Sequence, residues 1–157
     1  MSEAPKPEWW FYHLSRTTLE QAAAPLMQKC LDAGWRVLAV SPSPDRLAAL
    51  DSILWTFDEK TFLPHGQAEA PGLDPARQPI LLTGKLDNQN QAEALILMDG
   101  TKAPVDAPYT RCMVMFDDGD TDTRSLARQQ FKAAMDAGLV TRYFQQTPSG
   151  GWKEAGK

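Results

Sequence analysis

A chain of 157 residues, 43% hydrophobic and 23% charged, can fill one core without disulfides or metals, and we expect a single domain over residues 1–157. A formal net charge of -4 and a pI near 5.1 exclude bulk nucleic-acid binding, which leaves a domain basic, but they leave room for a local cationic patch. The sequence predicts no membrane span and no secretory signal, which implies a cytoplasmic protein whose Cys30 and Cys112 are buried, reduced thiols.

Residues 1–8 are Pro-rich and read as loose. Trp9-Trp10-Phe11-Tyr12-His13-Leu14 then reads as a buried strand by its aromatic content. A helix over 18–33 follows, with Thr17 or Thr18 as its cap, Glu20 in its first turn and Gly34 just past its end. Pro25 inside it marks a kink or a later start. Arg36–Val40 reads as a strand covered on both faces, and Pro44 opens a helix to Leu54 with Ser43 as cap. Strand, helix, strand, helix points to an α/β sheet with parallel pairing.

The middle is less regular. Phe62-Leu63-Pro64-His65 reads as a short strand or an ordered turn, and 66–78 as a Gly/Pro-rich loop. Pro79–Thr83, Ala94–Met98 and Arg111–Phe116 are three further strand candidates. An acidic turn over 117–120 leads into a helix capped by Asp122 or Thr123 and closed by Ala137-Gly138. Thr141–Phe144 is a last extended piece, and 145–157 reads as a Gly-rich tail that closes on the domain.

Chemistry is hard to find along this chain. Gly-x-Gly-x-x-Gly is absent. Thr83-Gly84-Lys85 has the ending of a phosphate loop, but Pro79 stands where the first Gly belongs and Leu86 where a Ser or Thr is required. No Cys/His group has zinc spacing, and no Gly-x-Ser-x-Gly elbow occurs. The acidic turn lacks the Gly and Glu of a calcium loop and reads as a solvated helix cap. His13 reads as a satisfied, half-buried strand residue, and His65 as a structural or interface residue. The sequence calls for no cofactor and no metal.

Two features suit recognition instead. At about 100° per residue, Arg124, Arg128 and Lys132 fall on successive turns of one helix face, with Phe131 beside them. Such a ridge in an acidic chain suits an acidic partner with an apolar anchor, or else is a solvated face with Phe131 in the core. The second feature is the cluster Leu54-Trp55-x-Phe57-x4-Phe62-Leu63-Pro64-His65, which is either core edge or a protein-binding patch.

The order of these pieces resembles the chi subunit family of bacterial DNA polymerase III holoenzyme. The resemblance rests on Phe11-Tyr12, Gly34-x-Arg36-Val37-Leu38, Leu50-Asp51-x-x-Leu54-Trp55 and Phe62-x-Pro64-His65. It continues with Leu126-Ala127-Arg128-x-x-Phe131-Lys132-x5-Gly138 and the closing Trp152-Lys153. The stretch 66–108 and the chain after Gly138 depart from the family's pattern. The resemblance implies a Rossmann-like three-layer sandwich with a mostly parallel sheet and no phosphate-binding loop, used as a non-catalytic clamp-loader adaptor. It also implies two partners, the psi subunit and the acidic, Pro-Phe-ended C-terminal tail of single-stranded DNA-binding protein. Arg124, Arg128, Phe131, Lys132, Trp152 and Lys153 match the tail-binding positions. Trp55, Phe62 and Pro64 match positions that meet psi, with His65 at the rim. The competing readings are a nucleotide-dependent enzyme of the same build and a direct binder of single-stranded DNA through Arg124, Arg128 and Trp152.

Overall fold

The computed structural model describes residues 6–56 and 63–155. Its centre is an eight-stranded sheet formed by β1 (Glu8–Leu14), β2 (Val37–Val40), β3 (His65–Gln67), β4 (Ile80–Thr83), β5 (Ala94–Leu97), β6 (Arg111–Asp117), β7 (Thr141–Gln146) and β8 (Trp152–Ala155). The strands lie in the order β3-β4-β2-β5-β6-β1-β7-β8. Every neighbouring pair is parallel except β7 with β8. Helices α1 (Leu19–Asp32) and α2 (Pro44–Thr56) cover one face, and α3 (Thr121–Asp136) lies on the other, giving the expected three layers.

The strands β2, β4 and β5 are buried throughout, and apolar but for Thr83, because both of their faces are covered. In β1 the alternation divides the aromatics: Trp9 and Phe11 enter the α3-side core, whereas Trp10 and Tyr12 join the α1 side. Thr18 caps α1, and Gln21 completes a capping box by reaching back to the Thr18 amide. The helix runs straight through Pro25, which sits on its exposed side, where water can take the carbonyl left without a donor. Gly34 ends the turn at φ +82, a conformation that disfavours a side chain.

Three boundaries differ from expectation. The cap of α3 is Asp120 rather than Asp122 or Thr123, because the helix begins one turn earlier and the Asp120 carboxylate accepts the Thr123 amide at 3.2 Å. His65 starts a strand that runs into the presumed loop, and a 3₁₀ turn occupies Pro75–Arg77. The tail after residue 145 is not merely a covering segment. β7 continues to Gln146, the chain turns with Gly150 at φ +90, and β8 pairs back antiparallel as the sheet's edge.

One buried side chain ties that tail to the opposite end of the sequence. The Gln146 carbonyl accepts the amides of Ser15, Arg16 and Thr17 at 2.8–3.2 Å, and its amide donates to the Thr17 hydroxyl at 2.7 Å. All three amides lie in the loop from β1 to α1, so this side chain fixes where β1 ends. Among the described residues, no helix is long and apolar enough to cross a membrane.

Candidate functional site

The helix α3 packs Ala127 and Ala134 onto the sheet and leaves Arg124, Arg128 and Lys132 on its outer side. Small residues at the contact bring the helix close, so the flanking side chains frame a cleft instead of being lifted from it. Between α3 and the ends of β1, β6 and β7 lies a cavity of about 280 Å³. Arg124 and Arg128 edge it, while Phe131, Phe116, Tyr143 and His13 form its floor and walls. Phe131 meets Phe11 edge-on at 5.2 Å and Tyr143 at 6.1 Å, so its ring is fixed from below and from the side. The proposed core role and the proposed wall role of Phe131 are therefore both filled by one half-buried ring.

The electrostatics of this cleft are cationic. None of Arg124, Arg128 and Lys132 pairs with a carboxylate among the described residues. Among the described residues, the Arg124 guanidinium donates to the Asp118 carbonyl, at 3.3 Å. His13 reaches the Tyr143 hydroxyl through Nδ1 and Asp118 Oδ1 through Nε2, each at 2.7 Å. Burial pushes the Tyr143 phenol above its ordinary pKa, against the pull of Arg128 and Arg124 and with a small addition from Asp118. Two guanidinium groups above an aromatic floor can hold carboxylates by charge-assisted hydrogen bonds and accept an apolar side chain beneath.

The structure brings four of the six residues expected here to the α3 side: Arg124, Arg128, Phe131 and Lys132, the last exposed one turn beyond Arg128. It does not bring Trp152 there. The Trp152 ring meets Tyr12 edge-on at 5.1 Å on the α1 face, across the sheet from Phe131. Lys153 alternates to the α3 face and pairs with Gln145, at the edge of the sheet. Sequence reasoning gave His13 the role of a satisfied strand residue, and its two hydrogen bonds agree. It gave no place in this cleft to Tyr143, Phe116 or Asp118, which come from separate elements; Asp118 was read only as part of the solvated capping turn.

A second cleft of about 390 Å³ lies on the opposite face, walled by Trp10, Trp35, Tyr12 and Trp152 with Lys29 and Arg111. The arginines on this face are used differently. The Arg111 guanidinium lies 3.6 Å from the Trp10 ring centre and 4.9 Å from that of Trp35. Arg142 covers Trp10 at 4.5 Å and makes a two-pronged bond to the Glu154 carboxylate.

The other expected patch lies at the far edge of the sheet. Trp55, at the end of α2, is 60% exposed and meets the His65 ring at 5.1 Å. His65 Nδ1 donates to the Leu63 carbonyl at 2.7 Å, and Nε2 lies 3.1 Å from the Asp51 carboxylate. Pro64 is half-buried next to them. Phe62 and Phe57 lie outside the described residues.

Parallel sheets of this kind take ligands at the carboxyl ends of their strands. Here the ends of β2 and β5 are joined by side chains. Ser41 donates to Asp99, and Arg46 on α2 bridges Asp99 and Glu20 of α1. Burial weakens the Arg46 charge, but the bonds and charges of Asp99 and Glu20 more than offset this and raise its pKa. After β4, Thr83-Gly84-Lys85 leads through turns to β5 with no helix between, so the chain lacks the strand–loop–helix frame of a phosphate loop.

Comparison with known proteins gives two findings. The family described as DNA polymerase III chi subunit, HolC, matches residues 7–142, a span that holds α3 and the α2–β3 edge and ends one residue before Tyr143. A protein of Rickettsia prowazekii (strain Madrid E), named "Probable DNA polymerase III subunit chi", is 32% identical over 90 residues, 57% of this chain and 53% of that protein. The chain thus spans about half the length of this curated relative. With most of its length matched and its three-layer fold in agreement, the chain belongs to the DNA polymerase III chi subunit family.

Proposed function

We propose that this chain is a non-catalytic, one-domain accessory subunit of the polymerase III clamp-loader complex, acting in the cytoplasm. In this reading the α3 cleft binds the acidic C-terminal tail of single-stranded DNA-binding protein, and the α2–β3 edge meets the psi subunit. The observation that carries the tail reading is the pairing of unsatisfied cations with an apolar floor: Arg124 and Arg128 stand over Phe131 and Phe116 in one cleft. The aspartates and terminal carboxylate of such a tail would meet the guanidinium groups, and its final phenylalanine would lie on the rings. Lys132 and Lys153 add charge at the rim. Trp152 supports β7 from the opposite face.

Titration with a peptide ending in Asp-Asp-Ile-Pro-Phe tests the reading. Saturable micromolar binding is expected, with most of it lost when the terminal phenylalanine is removed. Absence of a saturable signal at low salt would overturn the assignment. For the psi edge, the exposed Trp55 ring, edge-on to His65 with Pro64 next to it, is the supporting feature. Trp55→Ala is expected to cost about 2 kcal/mol of psi affinity, read by co-purification, while tail-peptide binding stays intact.

A further inference from the structure

On β1, Trp10 and Tyr12 turn to the α1 face, while His13 turns into the α3 cleft. Its side chain is only 14% exposed and is bracketed by two different hydrogen-bond partners. Asp118, from the turn between β6 and α3, is a carboxylate and only accepts. The Tyr143 hydroxyl, from β7, either donates or accepts. Burial keeps Tyr143 protonated, so its proton has to point somewhere.

The direction of that proton follows from the state of the imidazole. In the neutral ring, Nε2–H serves Asp118, so Nδ1 must accept and the Tyr143 hydroxyl donates to it. In the imidazolium both nitrogens donate. The Tyr143 oxygen then accepts from Nδ1–H, and its own O–H is released in a cleft that Tyr143 lines. One proton taken up at His13 thus gives the cleft one added positive charge and one added hydrogen-bond donor. Both favour an anion.

We propose that His13 is a specificity-determining residue for carboxylates in the α3 cleft, taking up a proton as an acidic peptide binds. This rests on the reading of that cleft as an acidic-tail site. The charged groups facing His13 set the coupling. Asp118 favours the imidazolium, whereas Arg124 and Arg128 on α3 oppose it and also act on Tyr143. A bound carboxylate neutralises the two arginines and removes the opposition. By linkage, whatever favours the proton when peptide is bound makes the peptide bind more tightly when the proton is present. Affinity therefore rises as pH falls across the range from about 8 to 5.5, where ordinary carboxylates, which titrate near 4, stay ionised.

Calorimetric titration with the acidic peptide at both ends of that range, in buffers of different ionisation enthalpy, tests this. The expected result is about fivefold tighter binding at the acid end, with net proton uptake on binding. His13→Gln keeps an amide that can bridge Asp118 and Tyr143 but cannot titrate, so it should abolish both the pH slope and the uptake. Asp118→Asn, at an exposed turn position, should move the slope to lower pH without removing it. Proton uptake that persists in folded His13→Gln, or wild-type binding with no pH slope, would overturn the inference while leaving the tail reading in place. No binding at either pH would overturn both.

Discussion

The two faces of the sheet around β1 are built from the same materials and behave as opposites. Each has a cleft with aromatic walls, with two arginines in it or beside it. On the α1 face, the guanidinium of Arg111 lies over Trp10 and that of Arg142 is bonded to Glu154. On the α3 face, Arg124 and Arg128 rise from a helix and have no carboxylate partner among the described residues. A guanidinium laid over a ring or bound to a carboxylate helps to hold the protein together, and one committed to neither can hold something else. Composition does not separate these cases. The backbone that carries the side chain does.

The sharpest way to break this contrast is to exchange the two kinds of arginine. Arg128→Glu should weaken tail-peptide binding about thirtyfold, roughly 2 kcal/mol, by removing a charge-assisted bond and adding repulsion. It should leave the melting temperature within about 2 °C, as expected for an exposed helix position. Arg111→Ala should do the reverse. Urea unfolding should show a loss of about 1.5 kcal/mol from two broken ring contacts, while peptide titration stays at the wild-type value. If Arg111→Ala lost peptide affinity and kept its stability, the α1 cleft would be the binding site and the contrast would fall.

Alkaline unfolding gives a smaller effect that reports on both faces together. Burial pushes the Cys30 thiol up to about 11 and the Cys112 thiol up to about 12, from 9.0 when exposed. Arg111 pulls Cys30 slightly the other way. Because folding favours the protonated thiols, this stability is fully present below pH 9, falls as pH rises above it and is gone once pH has passed the two folded values. Each thiol should account for a loss of about 1 kcal/mol by about pH 10, read from denaturant curves and reduced by the matching Cys→Ala change. A Cys30 that titrated near 9 would show that water occupies the α1 cleft. The smallest effect expected is on tail affinity in Trp152→Ala. The change should be under about twofold, because its ring acts on the far side of the sheet, and a larger loss would mean that the faces communicate.

Local order was legible where neighbouring residues decide it. Thr18, Glu20 and Gly34 mark the ends of α1, and the continuous apolar runs of β2, β4 and β5 are what doubly covered strands require. The cationic face of α3 was equally readable, since helix geometry alone puts Arg124, Arg128 and Lys132 together. The strand β3 was not, because His-Gly-Gln has no apolar alternation and is a strand only through its pairing with β4. Nor was β8, whose four residues gain their conformation from the edge of β7.

By itself the sequence determined the helices, the buried strands and the charged ridge, because each depends on residues within a few turns of one another. Only the tertiary structure decided what that ridge stands over. The pairing of β1 with β6 and β7 sets His13 beside Tyr143, 130 positions away, and beside Asp118, 105 away. A one-residue change in strand phase turns a ring to the opposite face, which is why Trp152, expected with the α3 residues, packs on the α1 side instead.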